Sequence, residues 1–264
     1  MGKPRILLTN DDGIGSVGFR ALYDGLSAVA DVTAVAPATD QSAVGRALSR
    51  EVTVSDHELG YVLDGTPADC TVVGLETLCS DVDLVVAGCN KGANLGAYVL
   101  GRSGTISAAV EATFFGVPAI AVSLYVPGGD VSWTEAATDT EDYREATDAT
   151  AYLVEHALGA GVFEEAEYLN VNAPMPNETP ARMAITRPST LYDMTATRES
   201  DGVRLRDRVW DRMREGDLPD PDGTDRRAVV DGNVSVSPLT APHTTKHHDS
   251  LDRLAESYRS ESRE

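Results

Sequence analysis

From Arg5 to about Ser123, short apolar runs of strand length alternate with stretches whose apolar residues recur at helical spacing. That alternation is the signature of β-α-β units around a parallel sheet. Ile6 to Thr9 reads as a first buried strand, and Phe19, Leu22, Tyr23 and Leu26 then supply the apolar face of a helix to pack on it. Asp31 to Pro37 is a second strand, closed by proline, and Val52–Val54 with Tyr61–Leu63 reads as a short antiparallel insertion. Thr66 is placed to cap a helix whose first residue is Pro67. Asp83–Ala87, Pro118–Ser123 and Tyr168–Asn172 continue the strand series. A small-residue helix follows Ser103, and another is expected over Glu141–Leu158.

Past Pro180 the pattern changes. Met183–Thr186 is extended, and Thr197–Asp225 is very polar, with Val209-Trp210 as its main apolar feature. Asp217–Gly223 reads as a turn or mobile tip, and Val229–Val236 regains strand character. The tail beyond His247 is charged, with Leu251 and Leu254 at helical spacing. This region has too few apolar residues for a core of its own. The expected fold is therefore α/β: a Rossmann-like parallel sheet flanked by helices (residues 1–180), followed by a C-terminal projecting hairpin and tail (181–264).

Composition narrows the function. A chain of 264 residues can bury a full α/β core, and no apolar stretch approaches the roughly 18 residues of a membrane span. The N-terminus enters a strand directly, without a signal-peptide apolar region, so a cytoplasmic location is expected. Acids outnumber bases 42 to 22, for a net charge of −20, and lysine occurs only at Lys3, Lys91 and Lys246. Such a surface repels nucleic-acid backbones. It is also strained by self-repulsion unless salt screens it, the screening length being about 3 Å at 1 M. A halophile's salt-rich cytosol is the implied setting. Cys70, Cys79 and Cys89 form no C-x-x-C and read as small buried residues in a reducing compartment.

The chemistry lies where strands end. Ile6-Leu-Leu-Thr-Asn-Asp-Asp-Gly13 stops abruptly at two adjacent carboxylates, which repel one another unless a cation or a shared proton compensates them. In an open parallel sheet, ligands sit outside the carboxyl ends of the strands. There Asp11 and Asp12 join Ser42, from the loop after the second strand, and Asn90, from the loop after Asp83–Ala87. Two carboxylates, a hydroxyl and an amide oxygen suit a hard divalent ion with positions left open. Nearby, Ser103-Gly104-Thr105 starts a helix, whose N-terminus favours an anion. A metal beside an anion cradle reads as phosphate chemistry. Taken singly each residue is an ordinary loop residue; their joint placement carries the reading.

These segments resemble the SurE (survival protein E) nucleotidases. The resemblance runs through Ile6–Gly13, Gly65-Thr-Pro-Ala-Asp-Cys70, Gly88-Cys-Asn-Lys-Gly-Ala-Asn-Leu-Gly96, Ser103–Thr105, Gly116–Ser123, Leu169–Asn172, Thr224-Asp225 and Val234–Leu239. It implies hydrolysis of nucleoside monophosphates to nucleoside and phosphate, with Asp11 and Asp12 as catalytic carboxylates. One divalent ion per subunit (Mg²⁺, Mn²⁺ or Co²⁺) would be held by Asp11, Asp12, Ser42 and Asn90. Asn94, Ser103, Gly104 and Thr105 would contact the phosphate. It further implies a homodimer or homotetramer exchanging the C-terminal hairpin and tail. Two positions depart from the family: Arg102 stands where an aromatic residue is frequent, and the Ser42 loop lacks the usual Asn/Arg-rich wording.

The residues leave two routes open, attack by an activated water or attack by an aspartate. The rival readings are a non-catalytic nucleotide-binding protein and a receiver-like regulatory one. The latter needs a lysine at a late strand end, where the chain has Ser123-Leu-Tyr. A haloacid-dehalogenase-type phosphatase needs an Asp-x-Asp pattern, which the end of the first strand, Asp11-Asp12-Gly13-Ile14, lacks. His243, His247 and His248 have metal-like spacing, but in a polar tail after Pro242 they read as solvated.

Overall fold

A computed structural model describes residues 2–127, 134–241, 243 and 249–261. Eleven strands occur among them: β1 (Arg5–Thr9), β2 (Asp31–Pro37), β3 (Val54–His57), β4 (Gly60–Leu63), β5 (Leu84–Lys91), β6 (Ala119–Tyr125), β7 (Tyr168–Pro174), β8 (Met183–Ile185), β9 (Met194–Glu199), β10 (Gly202–Asp207) and β11 (Val234–Leu239). Seven α-helices accompany them: α1 (Val17–Val29), α2 (Pro67–Val73), α3 (Gly104–Phe114), α4 (Arg144–His156), α5 (Val209–Glu215), α6 (Asp225–Val230) and α7 (Asp249–Glu261).

Nine strands form one sheet in the order β3-β4-β2-β1-β5-β6-β7-β11-β8. From β4 through β7 every neighbouring pair is parallel. The expected α/β fold is thus observed, and the reason is visible in burial. β1, β5 and β6 are apolar on both faces because helices cover both. On one face Phe19, Leu22 and Leu26 of α1 pack with Leu153 and Val154 of α4 against Ile6, Leu8, Val86 and Val122. On the other, Cys70 of α2 and Ile106, Ala109 and Ala112 of α3 pack against Leu7, Val85 and Ala121. Thr66 caps α2 as its sequence implied, accepting from the Asp69 N–H while the Asp69 carboxylate takes the Thr66 N–H.

Several local expectations change. β3 and β4 are antiparallel, but β4 also pairs in parallel with β2, so this hairpin is the sheet's edge rather than a separate insertion. The Glu141–Leu158 helix is a 3₁₀ turn, Thr140–Tyr143, followed by α4. Val229 and Val230 belong to α6, which stops before the left-handed Gly232; the strand starts only at Val234. Asp217–Gly223 closes on a turn at Asp222-Gly223, one of the two expected readings, and is not a free tip: Leu218 and Asp220 are buried, and the Arg227 guanidinium donates to both their carbonyls.

The sheet also crosses residue 180, because β11 pairs antiparallel with β7 and β8 joins β11. The hairpin proper is β9–β10, a two-stranded ribbon outside the main sheet. Behind it, Val209, Met213, Leu218 and Val229 complete a small cluster by borrowing Leu95 and Tyr125 from the earlier part of the chain. His247 and His248 lie outside the described residues, and α7 leaves Leu251 and Leu254 exposed.

Candidate active site

The chain runs from β1 outward to β2 and later returns to place β5 on the other flank of β1. The strand order therefore reverses between β1 and β5, and in a doubly wound sheet ligands bind at that crevice. Asp11 and Asp12 leave β1 at this point, while Asn90 and Lys91 end β5 beside it. Gly88 makes the approach possible: its φ is +140°, and a Cβ there would lie 2.3 Å from the Val122 carbonyl oxygen. The β5–β6 register shifts between Ala87 and Asn90, and such an irregularity re-aims the residues that follow.

Asp11 is turned toward α3. Its Oδ1 accepts from the Thr105 hydroxyl at 2.5 Å, and its backbone oxygen accepts from the Gln41 N–H at 2.7 Å, which ties the Ser42 loop to β1. Gly104 is where α3 comes closest: an added Cβ would lie 2.8 Å from the Asp11 Cβ and 2.9 Å from Oδ2. Ser103 caps the helix, its hydroxyl oxygen accepting from the Ile106 N–H. Asp12 faces the other way. Its Oδ2 accepts from the Lys91 N–H at 2.8 Å, and it lines a cavity of about 350 Å³ with Ser16, Val17, Asp40, Ser42, Lys91 and Tyr143.

The expected residues thus fall into two groups around one pair of carboxylates: Thr105, Gly104 and Ser103 on the Asp11 side, Ser42 and the end of β5 on the Asp12 side. Asn90 does not line the cavity. Its Nδ2 is committed to the Gly92 carbonyl at 2.5 Å, so the amide oxygen is the end that could hold a metal. Asn94 is held in a buried ladder of amides. Its N–H donates to Asn172 Oδ1, its Nδ2 donates to the Ser123 hydroxyl, and its carbonyl accepts from Asn170 and Asn172. The second Nδ2 hydrogen is what Asn94 retains for a ligand.

Electrostatically the pair is incomplete. Burial raises the Asp11 carboxyl above its ordinary value, only partly offset by the bonds from Thr105. Asp12 is lifted to about 7, chiefly by burial and further by the charges of Asp11 and Asp40. A divalent cation would remove that penalty, and the oxygens of Asp11, Asp12, Ser42 and Asn90 are the hard donors that magnesium-class ions take. Among the described residues no group of three His, Cys, Asp or Glu is placed to hold a metal. The expected donor set, two carboxylates and two neutral oxygens, would suit an ion that keeps positions for substrate.

Residues 6–194 match the family model described as Survival protein SurE. The chain belongs to the SurE family. It is 66% identical to the "5'-nucleotidase SurE" of Haloarcula marismortui over 98% of this chain and 96% of that protein. To the same-named protein of Natronomonas pharaonis it is 65% identical, over 96% and 99%. Both relatives come from halophilic archaea. The crystal structure of the SurE protein from Aquifex aeolicus superposes with a TM-score of 0.75 at 28% identity, covering 97% of this chain and all of that one.

In this SurE chain two single residues and one adjacent pair beside these positions were given no role by the sequence reading. Asp40 holds Ser42 by accepting its N–H at 2.7 Å, and its place two residues ahead of Ser42 was the available signal. Lys91 borders Asn90, and its rarity in the composition marked it. The third is Asp225 with Arg226, both buried. Asp225 accepts from the N–H groups of Gly96 and Ser189, and the Arg226 guanidinium donates to the carbonyls of Leu95 and Leu191. Together they pin the Gly88–Gly96 loop. The Thr224-Asp225 motif was legible, but nothing in the chain said what it touches.

Proposed function

We propose that this chain is a divalent-metal-dependent 5'-nucleotidase, hydrolysing nucleoside monophosphates to nucleoside and phosphate. The observation that carries the reading is the pair of adjacent buried carboxylates at the sheet's reversal point, one backed by a helix N-terminus and the other opening on a cavity. One ion per subunit, Mg²⁺, Mn²⁺ or Co²⁺, would be held by Asp11, Asp12, Ser42 and Asn90. The chemistry such an ion supplies when bound is Lewis-acid neutralisation of phosphoryl oxygens and activation of water.

The chain's own residues then position and exclude. Thr105 fixes the rotamer of Asp11, and the Lys91 N–H fixes that of Asp12. Asp40 fixes the loop that brings Ser42. The Ser103 hydroxyl, the Gly104 N–H and the remaining Asn94 hydrogen are the donors for the phosphate, close to the positive end of α3. The cavity on the Asp12 side is within the range of small-molecule sites and takes the nucleoside. Phosphoryl transfer is catalysed mainly by this kind of positioning and charge compensation.

A homodimer or homotetramer is supported by the exposed Val203 and Leu205 of the β9–β10 ribbon and by Leu251 and Leu254 of α7. A salt-rich cytoplasm fits the net charge of −20 and the three free cysteines. Among the described residues no helix is long and apolar enough to cross a membrane.

The test is phosphate release from a panel of nucleoside monophosphates with Mg²⁺, Mn²⁺ or Co²⁺ in molar salt. Activity lost on chelation, restored by metal and abolished in Asp11→Asn and Asp12→Asn is the expected result. Mononucleotide binding without release under any metal would overturn it.

A further inference from the structure

Lys91 ends β5 on the wall of the cavity that Asp12 opens into, together with Asp40, Ser42 and Tyr143. The cavity wall does not include Asp11, Ser103, Gly104 or Thr105; Asp11 instead meets the start of α3, where the Thr105 hydroxyl donates to its Oδ1 and Gly104 comes closest. A phosphate monoester seated at the pair, with its phosphoryl group toward α3, must lead its ester oxygen and its organic half out past Asp12. Lys91 lines the cavity into which that path opens. Its charge acts on Asp12, and its backbone N–H, which no side-chain substitution removes, holds the Asp12 carboxylate. The other lysines offer no alternative: Lys3 is exposed, with its ammonium on the Ser27 carbonyl, and Lys246 lies outside the described residues.

We infer that Lys91 is a catalytic residue of this site, its ammonium stabilising the negative charge that develops on the leaving-group oxygen of the monoester. In the reaction the bond from phosphorus to the ester oxygen breaks and a bond from phosphorus to water oxygen forms. The water proton ends on the departed alkoxide by way of solvent, and Lys91 stays protonated throughout. The need is greatest for an alkoxide leaving group such as a ribose oxygen, which carries its charge poorly, and least for an aryl oxide, which spreads it. This rests on the nucleotidase reading, and Lys91 deepens it by assigning the leaving-group side.

The experiment compares wild type, Lys91→Met and Lys91→Arg, all metal-loaded in molar salt, on adenosine 5'-monophosphate and on p-nitrophenyl phosphate. Removing a donor aimed at developing charge lowers kcat by about 10²–10³-fold. Lys91→Met is expected to fall by roughly 10²-fold on the nucleotide and by less than about fivefold on the aryl ester, with Lys91→Arg recovering most of the loss. Mn²⁺ affinity of the metal-stripped proteins, measured by calorimetry, should stay the same. Equal losses on both esters, no loss on either, or a loss of Mn²⁺ affinity that accounts for the activity would each overturn the assignment. If Lys91→Met melts early, Lys91→Gln and Lys91→Arg give the same two-substrate ratio. Wild-type turnover of either ester tests the nucleotidase reading separately.

Discussion

Gly104→Ala probes the junction between α3 and Asp11 with a single methyl group. The new Cβ would lie 2.8 Å from the Asp11 Cβ and 2.9 Å from Oδ2, against about 3.5–4.0 Å for comfortable carbon contact. The two elements must therefore part by about 0.7–1 Å. Asp11 has little freedom to yield, since Thr105 holds its Oδ1 and Gln41 its carbonyl. Overpacking of this kind costs about 1–3 kcal/mol, and alanine's better helix propensity returns up to about 1 kcal/mol. A net destabilisation of roughly 0–3 kcal/mol leaves the fold intact. Catalysis is less forgiving, because a displacement of about 1 Å in a positioned group is worth about 10²-fold in rate. The assay is kcat/KM for phosphate release in molar salt, with melting curves alongside. Gly101→Ala is the control, since a Cβ there meets nothing within 4 Å. The expected pattern is a control near wild type and Gly104→Ala down about 10²-fold while still folded. Wild-type turnover by Gly104→Ala, or a loss that only tracks unfolding, would refute the packing argument.

Arg226→Met should lower stability by about 3–5 kcal/mol in urea titrations, because it strips the donors from Leu95, Leu191 and Ser189 and leaves Asp225 without its neighbouring cation. In the metal-free protein Asp12 titrates at about 7 against 3.8 ordinarily. The folded state therefore holds the extra proton across that window, and stability falls as pH rises from about 4 to 7. Urea midpoints at the two ends should show this decline, and Asp12→Asn should lessen it, the share of the likewise raised Asp11 remaining. Dilution from molar to millimolar salt should lower the melting temperature by unscreening the −20 charge; an unchanged melt would contradict the salt-adapted reading. Leu205→Glu, at a position 70% exposed on the ribbon, should reduce the particle mass seen by light scattering without changing the monomer's circular dichroism.

How much of this could be read from the chain alone depends on the range of the interaction. The strands of the sheet were legible because residues such as Ile6–Leu8 and Leu84–Ala87 are buried on both faces and so must be uniformly apolar. The cap at Thr66 was legible because it closes within three residues. Asp11 and Asp12 announced themselves by adjacency at a strand end. What stayed hidden is long-range. That Thr105 would clamp Asp11, or that Asp225 would reach Gly96, depends on pairings between distant segments that no local period encodes. Val229 and Val230 misled for a related reason: two β-branched residues favour a strand, but the Thr224–Asp225 start and Gly232 stop define one short helix around them. The polar run from Thr197 was read as part of a projecting hairpin, and a two-stranded ribbon, β9–β10, forms there outside the main sheet. Its buried Val209 and Met213 found their apolar partners in Leu95 and Tyr125, far back along the chain.

The amide ladder of Asn94, Asn170 and Asn172 has a consequence for how the site responds to heat. The loop that leaves β5, with glycines at 92 and 96, would ordinarily be among the first segments to wander as temperature climbs. Here Asn94 fastens it to the inner strands β6 and β7, and it should open only with them. In a deuterium-exchange experiment the Asn94 amide should be among the last to label, in step with the strands that carry it. The phosphate side of the enzyme should then keep its shape until the sheet itself melts, and inactivation and unfolding should be one event.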